Sequence, residues 1–560
     1  MRDTKASSPG NDAQGGHTSP GGDVEQNLQA IPESSRTRSV SGQFWIWAGA
    51  NLAPINWVLG ALGIQLGLGF ADTVTVLVAG NLVGMSLFGI FVLLGQRTGA
   101  TGMVLARAAF GRRGNYLPSA IQAVLVIGWC AVNTWIILDL VMALMGKLGF
   151  VDADAANVGP KVVVAALIMA IQVTIAWFGY KAIAAFERWT VPPTIVVLIA
   201  MSAVAWFGMH IDWSYAGPAG HILHGGPRIA AMTTVMTVIG IGWGITWFTY
   251  AADYSRFVSR GVPRHKVYLA SVFGQFLPVV WLGILGASLA TKSGSADPGK
   301  LIVDNFGLLA IPVLFLVLHG PVATNILNIY TFSVAAQALD IKIKRRALNV
   351  GVGVLALGGV VFFVMQESFA NTLSTWLGAL VAWVAAWGGI MLVHYLWVDK
   401  RKPVGIDRLF DPIGTRRLPV VNWAGITALL IGIFSTWLFM YGVEPIMQGP
   451  IATAMGGIDL SWLAGGLVAA GVYAILGPRV HARYATDAVQ GVAAPAGSDV
   501  VSGDPVDHVA AAVDAAIPGE DLPDVAVMDV AAVDATAPMV AAVDAAATPA
   551  SERNSALIAE

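Results

Sequence analysis

From about residue 42 to residue 478 the chain alternates long apolar stretches with short polar, charge-bearing ones. Twelve of the stretches have the length that a helix needs to cross a hydrocarbon core, roughly 18 to 25 residues. They run over 44–69, 72–95, 118–146, 162–180, 190–208, 229–251, 267–291, 308–338, 349–366, 372–397, 421–442 and 458–477. The pattern predicts an all-α integral membrane protein with twelve transmembrane helices. A polar, glycine- and serine-rich segment, 1–41, precedes this domain, and an Ala/Val-rich segment, 479–560, follows it.

Placement of the cations supports the count. All 32 lysines and arginines lie outside the spans. Twenty fall in loops that follow even-numbered spans and five in loops that follow odd-numbered ones, with seven in the two tails. Cytoplasmic loops carry the excess of Lys and Arg, so both termini are expected on the cytoplasmic side of a plasma (inner) membrane. A missed span would scramble the alternation.

Composition changes the picture little. Apolar residues make up 56% and charged residues 12%, where a soluble domain carries about 25% charged. The one cysteine, Cys130, lies within a span, which excludes an internal disulfide and a thiolate metal cluster. No early apolar region suggests a cleaved signal peptide. Residues 479–560 hold thirteen acidic residues, three arginines and a recurring AAVDA phrase broken by prolines, so both tails are expected to be disordered. The lipid bilayer is the expected partner. Nothing in the charge pattern calls for nucleic acid, an obligate protein partner or an organic cofactor, and no span pairs a nucleophile with a base.

Two spans are interrupted. The first contains WAGANLAPINW, with Gly49, Asn51, Pro54 and Asn56 inside apolar sequence, and the sixth contains VIGIGWGITWF, with Gly240, Gly242 and Gly244 on alternate residues. Backbone freed at membrane depth survives only where protein, water, ion or ligand satisfies it. A pair of Gly/Pro-interrupted spans at matching places in two halves points to a carrier's central site.

Other polar groups at depth are amides, hydroxyls and indoles, which argues against a strongly ionic ligand. Trp129 and Asn133 are four apart in the third span and share a helix face, offering a stacking surface beside an amide. In the eighth span Gly320, Thr324 and Asn328 form one small, polar stripe with Asn325 beside it; its oxygens suit a hard cation such as sodium, its amides a polar ligand. His319 is a proton-site candidate with a structural alternative. In the sixth span Trp243 and Trp247 could stack on a ligand. Asp253 and Arg256, where that span ends, read as a local ion pair or a cytoplasmic gate latch. Asp139, in the outer third of the third span, is either a coupling group or a solvated vestibule acid.

Taken in order, GANLAPINWVLGALGIQLGL, GQRTGATGMVLARAAFGRRGNYLP, GWCAVNTW, WFTYAADYSRF and NILNIYTF resemble the nucleobase–cation symporter family, which includes cytosine, purine, hydantoin and allantoin transporters. They cover about 44 to 335. The resemblance implies a LeuT-type fold: two inverted five-helix repeats, spans 1–5 and 6–10, plus two peripheral helices. It implies that a flat heterocycle lies between an aromatic of span three, Trp129, and one of span six, Trp243 or Trp247, near Gly242. Asn133 and an amide of span eight, Asn325 or Asn328, would bind its edge. It implies a sodium site from backbone carbonyls of Asn51 and Pro54 with Gly320, Ala323 and Thr324. Ala323 departs from the pattern if a second hydroxyl belongs there, which keeps a proton open as the coupled ion. The implied function is import of a neutral nucleobase with sodium or a proton; a carrier of allantoin, hydantoin or a vitamin (thiamine, pyridoxine) and a membrane sensor are the alternatives.

Overall fold

A backbone in hydrocarbon must satisfy its own N–H and C=O groups, and apolar runs of this length do so as helices. The computed structural model describes residues 29–151, 158–178, 180–341, 343, 345–366, 368–399, 405–411, 413 and 417–490. These are helices and loops, with one isolated bridge pairing Tyr441 with Gln448. The first span forms α1 (Val40–Asn51) and α2 (Pro54–Gln65), and the second forms α3 (Phe70–Thr98). A short loop helix, α4 (Gly102–Phe110), leads to α5 (Tyr116–Lys147), α6 (Val158–Phe178) and α7 (Tyr180–Gly208). The sixth span comprises α8 (Gly225–Val235), a π turn over Met236–Gly240, α9 (Ile241–Thr246) and α10 (Phe248–Ser255). After it come α11 (Arg264–Ser293), α12 (Pro298–Phe306), α13 (Ala310–Val317), α14 (His319–Ala338), α15 (Arg345–Val364) and α16 (Phe369–Val393). The last helices are α17 (Trp423–Leu438), α18 (Pro450–Ala454) and α19 (Ser461–Gln490).

Among the described residues, nine helices are long and apolar enough to cross a membrane. The expected twelve differ for physical reasons. The first span is cut into two twelve-residue pieces, and the eighth span is cut at Leu318 between α13 and α14. Pro298–Phe315 qualifies by length although the sequence pattern left 298–307 outside the membrane. The apolar helices Pro192–Gly208 and Trp423–Leu438 fall just short.

Packing sorts the helices into three groups. α11 lies along α1, α2 and α3, and α3 also packs on α9 and α10. A second group joins α5, α6, α14 and α15, and a third joins α16, α17 and α19. The first two groups touch each other little. Glycines set the closeness of the first group: a Cβ on Gly286 of α11 would sit 1.7 Å from the Trp57 carbonyl oxygen, and one on Gly60 equally close to that of Gly283. Burial separates centre from edge, with 67% of the α8–α10 window buried against 22% for α6.

The terminal segments are better packed than the sequence pattern implied. Of the expected tail 1–41, residues 1–28 lie outside the described residues, but Ile31 is buried and donates its N–H to Gly99 O at 2.9 Å. Arg36 donates to the carbonyls of Ile31 and Gln96, both at 2.9 Å. Two backbone acceptors at the end of α3, Gln96 O and Gly99 O, thus hold a polar segment in place. At the other end α19 continues to Gln490, and 491–560 lie outside the described residues.

Candidate functional site

Proline lacks an N–H and is preorganised to start a helix, so α2 begins at Pro54 and the chain between the two halves of the first span leaves helical geometry. Leu52 has φ −81°, ψ 58° and Ala53 φ −136°, ψ 153°. Two buried asparagines repair the gap. Asn56 Nδ2 donates to Asn51 O at 2.5 Å, and Asn51 Nδ2 donates to Trp47 O at 2.9 Å. The interruption of the sixth span takes a milder form than an unwound stretch: a π turn that ends on Gly240 at φ −93°, ψ −100°. The freed carbonyl of Ile239 accepts from Asn81 Nδ2 of α3 at 2.9 Å. The two interruptions are joined, because Trp243 Nε1 donates to Asn51 Oδ1 at 3.2 Å.

Between them lies a cavity with about 430 Å3 of unfilled space, counting its mouth. Ala50, Ile55, Trp129, Asn133, Trp243, Thr246, Trp247, Tyr250, Thr324 and Asn328 line it, and none carries a charge. The Thr246 and Thr324 hydroxyls donate to the backbone carbonyls of Trp243 and Gly320 at 2.8 and 3.1 Å, so lone pairs are what they can still offer. The Trp247 indole N–H is buried and unpartnered among the described residues.

Six of the residues singled out in the sequence therefore converge: Trp129, Asn133, Trp243, Trp247, Thr324 and Asn328. Others do not. Asn325 is fully buried behind the wall; its Nδ2 lies within 2.8 Å of both Cys130 O and Thr134 Oγ1 and 3.0 Å of Gln172 Oε1. Its Oδ1 accepts from Asn133 Nδ2 at 3.3 Å. Its hydrogen-bonding capacity is spent on holding α5, α6 and α14 together, which leaves Asn328 as the span-eight amide at the cavity. Gly242 is also absent from the wall; a Cβ there would sit 1.8 Å from Thr237 O of the π turn, so its role is close backbone packing.

The expected parallel slot between Trp129 and Trp243 is absent in this conformation. Their ring centroids are 5.7 Å apart at 87°, edge to face. A sandwiched planar ligand needs about 7 Å between parallel rings, two van der Waals contacts of about 3.5 Å. Trp247 likewise stands edge-on to Trp243, at 6.3 Å and 75°.

Of the two backbone carbonyls inferred for an ion site, that of Asn51 accepts from Asn56, and Pro54 opens α2. The Leu52 carbonyl also lies beside α14, 3.5 Å from where a Cβ on Gly320 would stand. The side chains of Ala323 and His319 lie outside the described residues. Asp253 accepts from the Gly102 N–H at the start of α4 at 2.8 Å, a partner on another element that the local spacing did not reveal. Arg256 lies over the Phe257 ring, 4.9 Å from its centroid. Asp139 is half-buried and accepts from the Gly299 N–H at the start of α12 at 2.5 Å.

Sequence reasoning passed over Tyr250 and Thr246 in the wall and Asn81 and Gln172 behind it. The two amides carry a usable signal, since a lone polar side chain within an apolar span needs a partner.

The fold recurs in solved transporters. The chain matches Mhp1, a nucleobase-cation-symport-1 family transporter, in a closed conformation with bromovinylhydantoin bound, with TM-score 0.62 and 17% identity over 82% of this chain and 95% of that one. It matches the inward-facing conformation of Mhp1 equally, with TM-score 0.62 and 18% identity over 83% and 94%. The architecture is that of a membrane protein of LeuT-type fold. In sequence the chain is 26% identical to the purine-cytosine permease FCY2 of Saccharomyces cerevisiae over 81% of its length and 85% of that protein's. It is 25% identical to the cytosine permease of Escherichia coli strain K12 over 74% and 89%. Residues 30–465 match the family described as permease for cytosine/purines, uracil, thiamine, allantoin, and the chain belongs to that family of nucleobase–cation symporters.

Proposed function

We propose that the protein imports a neutral, planar nucleobase, cytosine or a purine, by symport with sodium or a proton across the plasma (inner) membrane. The observation that carries this reading is the uncharged cavity between two interrupted helices, walled by Trp129, Trp243, Trp247 and Tyr250 and edged by the amides Asn133 and Asn328. Indole faces suit a flat aromatic ring, and an amide offers both a donor and an acceptor to its edge. A neutral ligand fits a wall that has no charge to pair with one. The broken first span and the two short apolar helices are read as crossings, and Pro298–Phe315 with α14 as a single one, which restores twelve, with both termini cytoplasmic.

The coupled cation would bind where Leu52 O, Gly320 and the lone pairs of Thr324 meet. One sodium moving inward down about 100 mV contributes roughly 2.3 kcal/mol. The group built on α1–α3 and α8–α11 would rock against the group of α5, α6, α14 and α15, consistent with the sparse packing between them. The test is uptake into proteoliposomes of labelled cytosine, uracil, adenine, hypoxanthine, allantoin, a hydantoin, thiamine and pyridoxine, with sodium and proton gradients imposed separately. Saturable, gradient-driven uptake of a base is expected. Uptake of the vitamins or hydantoins alone, or of nothing, refutes the reading.

A further inference from the structure

The bond between the two interrupted spans carries more than packing. Asn51 is the last residue of α1, immediately before Leu52, whose carbonyl faces Gly320 of α14. Its side chain has no freedom of its own: Nδ2 is held by Trp47 O at 2.9 Å, and the residue is fully buried. Its remaining oxygen takes the Trp243 indole N–H at 3.2 Å, and Trp243 is itself 2% exposed. Through that bond Trp243 is held edge-to-face against Trp129, the pose that denies a flat ligand its slot.

We propose that Asn51 is a positioning residue that couples ion binding to base binding. Its side-chain oxygen latches Trp243 in the closed pose, and rearrangement of the backbone at 51–53 releases it. This rests on the reading of the protein as an ion-coupled base carrier. The physical argument is one of shared geometry. An ion drawn to the Leu52 carbonyl pulls on the Leu52–Ala53 peptide, one residue beyond Asn51. Any rotation there displaces the Asn51 amide, because helix α1 ends at that residue. Trp243 then loses its one protein acceptor and is free to turn its face toward Trp129. A ligand that needs the released state binds with an affinity reduced by the fraction of molecules in that state. A single hydrogen bond of ordinary net strength holds back about tenfold.

Two substitutions remove the latch from opposite sides. Asn51→Ala deletes the acceptor, and Trp243→Phe deletes the donor while keeping an aromatic ring. Equilibrium binding of labelled bases to purified full-length protein is measured with and without sodium, and at two pH values. In each variant ion-free affinity should rise, by up to about tenfold, toward the ion-bound value, so that the ion effect shrinks. The double variant should show no further change. A purely structural role predicts instead that affinity falls equally with and without the ion. That result, an unchanged ion effect in both variants, or additive effects in the double variant each overturn the proposal. Should no base bind the wild-type protein, the functional reading fails and the latch with it; should a base bind normally while the variants keep the wild-type ion effect, only the latch fails.

Discussion

Asn325 and Asn328 are three residues apart on one helix, yet the structure assigns them different work. Replacing Asn325 by Ala strips Asn133 Nδ2 of its acceptor and removes the donor shared by Cys130 O, Thr134 Oγ1 and Gln172 Oε1. Gln172 Nε2 already lacks a partner among the described residues, so the loss would fall on a buried network that is not fully satisfied to begin with. Interhelical hydrogen bonds in membranes average about 0.6 kcal/mol; the two hydrogens of Nδ2 and the bond to Oδ1 make three such losses and place the destabilisation at about 2 kcal/mol. Asn328 lines the cavity and takes no part in this network. Replacing it with Ala should leave stability within about 0.5 kcal/mol and raise the KM for the base. Thermal unfolding of both variants in detergent, followed by size-exclusion fluorescence, reads the first quantity. Initial rates of uptake in proteoliposomes read the second. A normal melting midpoint with a strongly raised KM for Asn325→Ala, or the reverse pattern for Asn328→Ala, would refute the assignment.

Trp129→Ala should abolish saturable uptake while the protein still inserts and elutes as a single species; unaltered kinetics would remove Trp129 from the site. Thr324→Ala should weaken sodium dependence, and unchanged uptake across sodium concentrations would point to protons. Gly286→Ala forces a Cβ to within 1.7 Å of the Trp57 carbonyl oxygen and should cost about 1–3 kcal/mol, whereas Gly471→Ala, with nothing within 4 Å, should be neutral or mildly stabilising in a melting experiment. The Ser259 hydroxyl, then the Arg260 N–H, hold the Glu33 carboxyl below its usual range. A lowered carboxyl stabilises above the unfolded pKa of about 4.3 and loses its effect as pH falls through the folded value. Acid should therefore loosen residues 29–36 toward proteolysis, and Glu33→Gln should do so already at neutral pH.

How much of this was legible in the chain depends on the range of the force involved. Helix-forming stretches, the alternation of cationic loops and the interruptions at Pro54 and Gly240 are local consequences of solvent and backbone chemistry, so they could be read from order alone. Trp129 and Asn133 were legible for the same reason, since residues four apart on a helix share a face. Their partners were not. Whether Asn325 or Asn328 meets the cavity turns on a rotation of α14 against α5 and α6, and the decisive groups, Cys130 O and Gln172 Oε1, lie more than a hundred residues away in the chain. The same holds for the carbonyl of the proposed ion site. Order named the broken segment, but only the placement of Gly320 beside it singled out Leu52 over its neighbours. Asp253 shows the limit most simply: its spacing to Arg256 could be read locally, but the bond it accepts from Gly102, 151 positions earlier, could not. Local periodicity determined that this protein is a membrane bundle with a broken centre. Which atoms face one another across that centre was decided by helix packing, because hydrogen bonds reach only about 3 Å and cannot be anticipated until the helices are set side by side.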